Sequence, residues 1–242
     1  CSEMVVPVWE CSGRGPDRIC DGMVGETAIH CTYFDRIYNP PPISWGMDLF
    51  GTAGIRGSAE DLVTPSLALR VGQAAGAEDR EFVLGRDGRE TGEALAAAVE
   101  AGLESAGASV RRVGMVPTPT LAFASRGRHG IQITASHNPP EDNGIKVFED
   151  GVEFDREAEL ALEDRVEAGT SPSRWDRWGS GEDIEVLEAY RSAAATYLRG
   201  RRVPEAHPTA TPQDIPAEYP LDGVRIAVDC GNGMGCLATP HV

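Results

Sequence analysis

EFVLGRDGRETGEALAAAVEAGLESAGASVRRVGMVPTPTLAFASRGRHGIQIT, residues 81–134, alternates short apolar runs with helical stretches. Glu81 to Gly85 is five residues of strand-forming, buried character. Thr91 then stands as an N-cap, Leu95, Val99 and Leu103 repeat every four residues to make one apolar face, and Gly107 closes the helix. Ser109 to Val113 reads as the next strand, Thr118 to Ser125 as a helix, and Gly130 to Thr134 as a strand, with Gly144 to Phe148 (GIKVF) returning as another. Strands alternating with helices over short connections predict a three-layer α/β/α domain, its sheet mixed but mostly parallel and covered on both faces. In such sheets ligands sit beyond the carboxyl ends of the strands.

The pattern extends in both directions. Thr64-Pro65 opens a helix through Leu67, Val71 and Ala75. After Phe154 comes an acidic helix, then a Trp/Gly/Ser-rich stretch at 170–181, then an amphipathic helix from about Asp183 to Leu198 carrying Ile184, Leu187, Tyr190 and Tyr197. Pro204, Pro208, Pro212, Pro216 and Pro220 forbid a helix and predict a semi-extended linker over 201–220. Val224 to Asp229 (VRIAVD) reads as a strand, followed by the glycine-rich turn Gly231 to Gly235. One strand and a turn cannot bury their own apolar face, so 221–242 is expected to be the truncated start of a second α/β domain. Residues 1–46, rich in Cys, Gly and Pro and without either period, are expected to be an unrelated extension, disordered or translated upstream of a start at Met47. The main domain is therefore 47–200.

Composition narrows the function. With 242 residues, 41% hydrophobic and 25% charged, the chain has ordinary globular make-up. It has no apolar run of membrane-spanning length and no secretory signal, which makes a cytoplasmic protein the expectation. Asp and Glu number 38 against 22 basic residues, for a net charge of −16. That field argues against a nucleic-acid partner, so an anionic substrate must be held by a local cluster of donors. Only Lys146 among the basic residues is lysine. Acidity with lysine avoidance suggests adaptation to high salt, and a GC-rich genome explains the arginines equally simply. The six cysteines show no C-x2-C spacing, so no zinc site is indicated and free thiols are expected.

Four segments carry candidate chemistry. Thr134-Ala135-Ser136-His137-Asn138-Pro139 follows strand GIQIT directly and offers Ser136 as a nucleophile with His137 and Asn138 beside it. An ordinary polar turn would look the same. Gly51 to Gly57, with Thr52 and Arg56, is a glycine-rich turn able to form an anion nest. Gly85-Arg86-Asp87-Gly88-Arg89 puts two arginines at a strand's carboxyl end, with Asp87 able to hold one of them. Lys146, retained where arginine is otherwise used, suggests a proton-exchanging role that arginine cannot perform.

Together FGTAGIRG (50–57), GRDGR (85–89), GMVPTP (114–119), GIQITASHNPPEDNGIKVF (130–148) and DCGNGMG (229–235) resemble the α-D-phosphohexomutases. This family includes phosphoglucomutase, phosphomannomutase and phosphoglucosamine mutase. The resemblance implies that Ser136 carries a phosphoryl group and exchanges it with a hexose phosphate through a 1,6-bisphosphate that also acts as activator. It implies that Lys146 is a proton carrier near the phosphoserine, that Arg56 offsets charge on the transferring group, and that His137 and Asn138 shape the pocket. Thr52, Arg56, Arg86 and Asn138 are expected to bind phosphate or substrate. It also implies Mg2+, held by Ser136 through its phosphate and by Asp residues of a D-x-D-x-D-R loop. Neither that loop nor a G-E-x-S-G-H segment occurs in this sequence. This chain alone is therefore expected not to turn over substrate. A phosphomannomutase or phosphoglucomutase is the first reading; the alternatives are a phosphoglucosamine mutase, a non-catalytic phosphosugar-binding module, or a purely structural fragment. The partner is a small hexose phosphate, not nucleic acid or membrane, and oligomeric state stays open. A dinucleotide site fits poorly, because Gly231 to Gly235 lacks the helix start and downstream acid it needs.

Overall fold

The computed structural model describes residues 11–12, 19–20, 49–51, 54–76, 80–198, 225 and 227–241. The chain divides into two units, 1–44 and 45–242. In the first, the described residues are β1 (Cys11–Ser12) and β2 (Ile19–Cys20), which pair antiparallel. The remainder of the expected extension, the linker at 201–220 and Thr52 lie outside the described residues.

The second unit is built on a seven-stranded sheet. Its strands are β3 (Ile55–Ser58), β4 (Glu81–Arg86), β5 (Ser109–Met115), β6 (His129–Ile133), β7 (Asp142–Glu149), β8 (Val152–Glu153) and β9 (Gly181–Asp183). The order is β3-β7-β6-β4-β5-β9, with β8 beside β7. Strands β6, β4, β5 and β9 pair parallel, whereas β7 runs antiparallel to β3, β6 and β8. The sheet is thus mixed and mostly parallel, as expected.

Helices α1 (Pro65–Ala75), α2 (Gly92–Ala106) and α4 (Arg156–Ala168) cover one face. Their Leu67, Val71, Leu95, Val99, Leu103, Leu162 and Val166 pack with Phe82, Leu84, Ile131, Ile133, Ile145 and Val147 of the strands. Each such fully buried side chain contributes roughly 1.5–3 kcal/mol relative to exposure. Pleating sends the intervening residues to the other face. There Val83, Val113 and Phe148 meet Leu121 of α3 (Thr118–Ala124), together with Ile184 and Val186, which lead into α5 (Leu187–Leu198). α1 and α2 touch backbone to backbone: a Cβ at Gly102 would lie 2.2 Å from the Leu69 carbonyl oxygen.

Four readings of the sequence need correction. Residues 55–57, read as part of a glycine-rich turn, belong to β3, because Ile55 finds buried space opposite Ile145. The helix read from Asp183 begins at Leu187; residues 181–183 instead add edge strand β9, whose hydrogen bonds to β5 win over local pattern. Thr91 occupies the N-cap position of α2, but its side chain makes no capping bond; its hydroxyl accepts from the buried Asn143 amide at 2.9 Å. Finally, residues 225 and 227–230 form no strand and Val228 is 59% exposed, since no described strand lies alongside to complete a ladder.

Along the amino-terminal edge of the parallel strands, charges pair with one another. Glu81 Oε1 lies 3.1 Å from both Arg111 Nε and Arg128 Nε, and Arg111 also approaches Glu182 at 3.5 Å. His129 Nε2 lies 3.3 Å from Glu149 and 3.2 Å from Arg80. Farther along β5, Arg112 is paired with Glu100 and with Asp183, fastening β9. This hydrogen bond holds the Asp183 carboxyl below its ordinary range. Burial, reinforced by nearby Glu100, pushes the neighbouring Glu104 carboxyl up.

Candidate active site

At the opposite, carboxyl edge, β4, β5 and β6 end together, with Arg86 in register with Ile133 and with Met115. Three segments emerge here and surround a cleft of about 700 Å³: Asp87 to Arg89, Val116 to Pro119, and the loop from Thr134 to Pro140. Gly231 to Met234 form its far wall.

The loop after β6 is fixed from below. Asp87 is anchored by its N–H donating to the Ile133 carbonyl at 2.9 Å. Its Oδ2 accepts from the Thr134 hydroxyl at 2.7 Å, and the Thr134 oxygen accepts in turn from the Ser136 N–H at 3.2 Å. Arg89 completes the support. Its Nη1 donates to the Pro139 and Asp142 carbonyls at 2.6 and 2.8 Å, its Nη2 to those of Ser136 and Asn138 at 2.9 and 2.8 Å, and its Nε lies 3.3 Å from Asp87.

Ser136 is exposed and left-handed, with φ of +58°. That conformation is uncommon for a residue with a Cβ. Ser136 Oγ is 3.4 Å from His137 Nδ1, a loose contact. Asn138 donates from Nδ2 to Asp142 at 2.9 Å. β7 approaches closely behind the loop. The Gly144 carbonyl accepts from Thr134 N–H, and a Cβ at Gly144 would fall 2.6 Å from both the Thr134 and Ile55 oxygens.

Ser136, His137 and Asn138 thus line one cleft, as their adjacency suggests. Three other candidates stand elsewhere among the described residues. Arg86 leans toward the start of α2, donating to the Asp87 carbonyl at 3.3 Å and to Glu93 at 3.5 Å. Lys146 donates to both oxygens of Glu153 at 2.8 and 2.9 Å. Arg56 lies across Gly144 on β3, its buried Nε without a hydrogen-bond partner. The arginine that enters the loop is Arg89, which sequence reading did not single out from Arg86. The signal was present in the strand's period: Arg86 is still in β4, whereas Arg89 lies beyond the turn at Asp87-Gly88.

No group of three or more His, Cys, Asp or Glu side chains able to hold a metal exists among the described residues. These residues do not by themselves fit a Mg2+ site. No described helix is long and apolar enough to cross a membrane.

An α/β/α domain presenting an exposed serine on a braced loop at the carboxyl edge of its sheet is the class that fold and cleft define. Residues 47–173 match the family model described as phosphoglucomutase/phosphomannomutase, alpha/beta/alpha domain I, and the chain belongs to that family. It is 38% identical to a phosphopentomutase of Thermococcus kodakarensis over 81% of this chain and 40% of the relative. It is 41% identical to a phosphoglucosamine mutase of Saccharopolyspora erythraea over 79% of this chain and 42% of the relative. Among solved structures, a phosphoglucomutase/phosphomannomutase family protein from Burkholderia thailandensis aligns with a TM-score of 0.54 at 30% identity, covering 60% of this chain and 35% of that one. The chain spans about two fifths of the length of the curated relatives it matches.

Proposed function

We propose that the protein moves phosphate between the 1- and 6-positions of a hexose phosphate, with Ser136 as the group that receives and returns the phosphoryl. The observation that carries the reading is the exposed, left-handed Ser136, lining the cleft on a loop whose underside is tied down at both ends. Phosphoryl transfer asks chiefly for alignment and charge neutralisation, which a fixed loop with polar neighbours supplies. In the first half-reaction a phosphoryl carried on Ser136 passes to the free hydroxyl of the hexose phosphate: the bond from phosphorus to Ser136 Oγ breaks, a bond from phosphorus to the sugar oxygen forms, and the sugar's hydroxyl proton passes to Oγ, leaving a 1,6-bisphosphate. The bisphosphate then reorients and returns its other phosphoryl to Ser136 Oγ, whose proton passes to the released sugar hydroxyl.

His137 and Asn138 flank the transferring group, and Arg56 supplies positive charge from β3 through a guanidinium that retains an unspent Nε–H. Lys146 serves as the proton carrier only by leaving Glu153. A hexosamine phosphate is the second reading for the sugar, favoured by the relative named phosphoglucosamine mutase. Domain 47–200 is then the part of this cytoplasmic protein that carries the serine.

The test is made on the protein purified from its natural source. Peptide mass mapping is expected to find phosphate on the Ser136 peptide, exchanging with labelled hexose 1,6-bisphosphate. Ser136→Ala is expected to abolish both label and mutase turnover, by at least about 10⁴-fold in rate if nucleophile catalysis of the usual size is lost. A bare Ser136 with turnover intact would overturn the assignment. Initial rates with glucose, mannose, glucosamine and pentose 1-phosphates then assign the sugar.

A further inference from the structure

We infer that Arg89 is a positioning residue that sets the orientation of the Ser136–His137 peptide, and that it is not a phosphate ligand. The inference deepens the reading of Ser136 as phosphoryl acceptor and rests on it. An arginine has five N–H donors. Four contacts from Nη1 and Nη2 go to main-chain carbonyls at 2.6 to 2.9 Å, and Nε faces Asp87. A guanidinium whose side chain is only 13% exposed and so fully engaged has no donor to turn toward a phosphate oxygen.

The four carbonyls belong to residues 136, 138, 139 and 142, so one planar group fixes both the crest and the exit of the loop. The entry is fixed separately, through Asp87 and Thr134. A non-glycine residue at positive φ costs of the order of 1 kcal/mol or more and persists only where its surroundings over-determine it. Arg89 and Asp87 provide that determination for Ser136.

The direction of the clasp matters as much as its strength. In a planar trans peptide the carbonyl and the following N–H point opposite ways. Drawing the Ser136 carbonyl down onto Arg89 therefore turns the His137 N–H away from Arg89. That N–H has no hydrogen-bond partner among the described residues. It is left for an oxygen of a phosphoryl group on Ser136, the kind of preset donor that stabilises charge as it develops. Arg89 acts on the transferring group through this peptide and at no closer range.

The experiment compares Arg89→Lys and Arg89→Met with the unsubstituted full-length protein. Three quantities are read: amide hydrogen exchange at Asn138 and Asp142, the rate of phosphoryl uptake by Ser136 from hexose 1,6-bisphosphate, and the affinity for that bisphosphate. Losing charge-assisted bonds in Arg89→Met is expected to speed loop exchange by about tenfold or more. Misplacing the serine by about 1 Å is expected to slow uptake by about 100-fold while affinity stays within about threefold. Arg89→Lys, with three donors, is expected to fall between and keeps the test open if Arg89→Met does not fold. Adding guanidinium ion to Arg89→Met is expected to recover part of the uptake rate. Affinity falling in step with rate while loop exchange is unchanged would mark Arg89 as a phosphate ligand and overturn the inference. Unchanged exchange and uptake would overturn it too. Absence of phosphoryl uptake in the unsubstituted protein would instead sink the proposed function, and loop exchange would still decide the part played by Arg89.

Discussion

The two edges of the sheet use arginine in opposite ways. At the amino edge, Arg111 and Arg128 share Glu81, and His129 reaches Glu149; side chain meets side chain on partly exposed surface. At the carboxyl edge, Arg89 reaches four main-chain carbonyls across a loop. The first arrangement fixes strand ends that the ladder already fixes, and exposed pairs of this kind are worth about 1 kcal/mol or less. The second fixes a backbone conformation that no ladder holds. Geometry at a loop crest has to be built from charge and main-chain dipoles, whereas geometry at a strand end comes with the sheet.

The contrast can be broken most sharply behind the loop. Gly144→Ala places a Cβ 2.6 Å from the carbonyl oxygens of Ile55 in β3 and Thr134 at the start of the loop, so it is expected to cost about 3 kcal/mol by denaturant unfolding, through overpacking against rigid backbone. A loss below about 0.5 kcal/mol would mean that the backbone at the carboxyl edge yields to the added methyl. Asp87→Asn removes the charge shared by Thr134 and Arg89, with an expected loss of about 1–2 kcal/mol and faster exchange of the Ser136 amide. At the amino edge, Glu81→Gln is expected to cost about 1 kcal/mol or less and to leave phosphoryl uptake by Ser136 unchanged. A larger effect on uptake than that of Asp87→Asn would reverse the comparison.

The smallest effect is expected at Glu104, where burial raises the carboxyl above its ordinary value. A group with a raised folded-state value contributes its full stability at acid pH and loses it as pH rises through that value. Glu104→Gln is therefore expected to be more stable than the parent at pH 7, by about 1 kcal/mol or less, and equal to it near pH 4. Thermal melts at the two pH values check both sign and size; a variant less stable at pH 7 would show that the carboxylate is held by a favourable contact.

Legibility in the sequence followed the same division. Helices α1 and α2 and strands β4, β6 and β7 were readable because each carries its own period and punctuation: Thr64-Pro65, Gly107, the apolar runs EFVLG and GIKVF. Strands β3 and β9 were not, because four and three residues show no period and owe their conformation to partners far along the chain. Val224 to Asp229 failed in the converse way: the apolar pattern is strand-like, yet the described residues there have no neighbour to pair with. In the site, Ser136, His137 and Asn138 were legible because one loop holds them. Arg89 was not, since its four partners are backbone atoms and backbone atoms leave no mark in a sequence. Lys146 stood out by rarity, but the identity of its partner, Glu153, depended on the β7–β8 hairpin.

The antiparallel pairing of β3 with β7 also imposes an order of events on synthesis. Ile55 leaves the ribosome long before its ladder partner Ile145 has been added. At roughly 5–20 residues per second the wait is several seconds. During that interval the apolar Ile55 and the unpaired main chain around it form an open edge of the sort that invites stray pairing. Arg56 and Gly57, placed just after it, put a charge and a weak strand former where a longer sticky strand would otherwise stand.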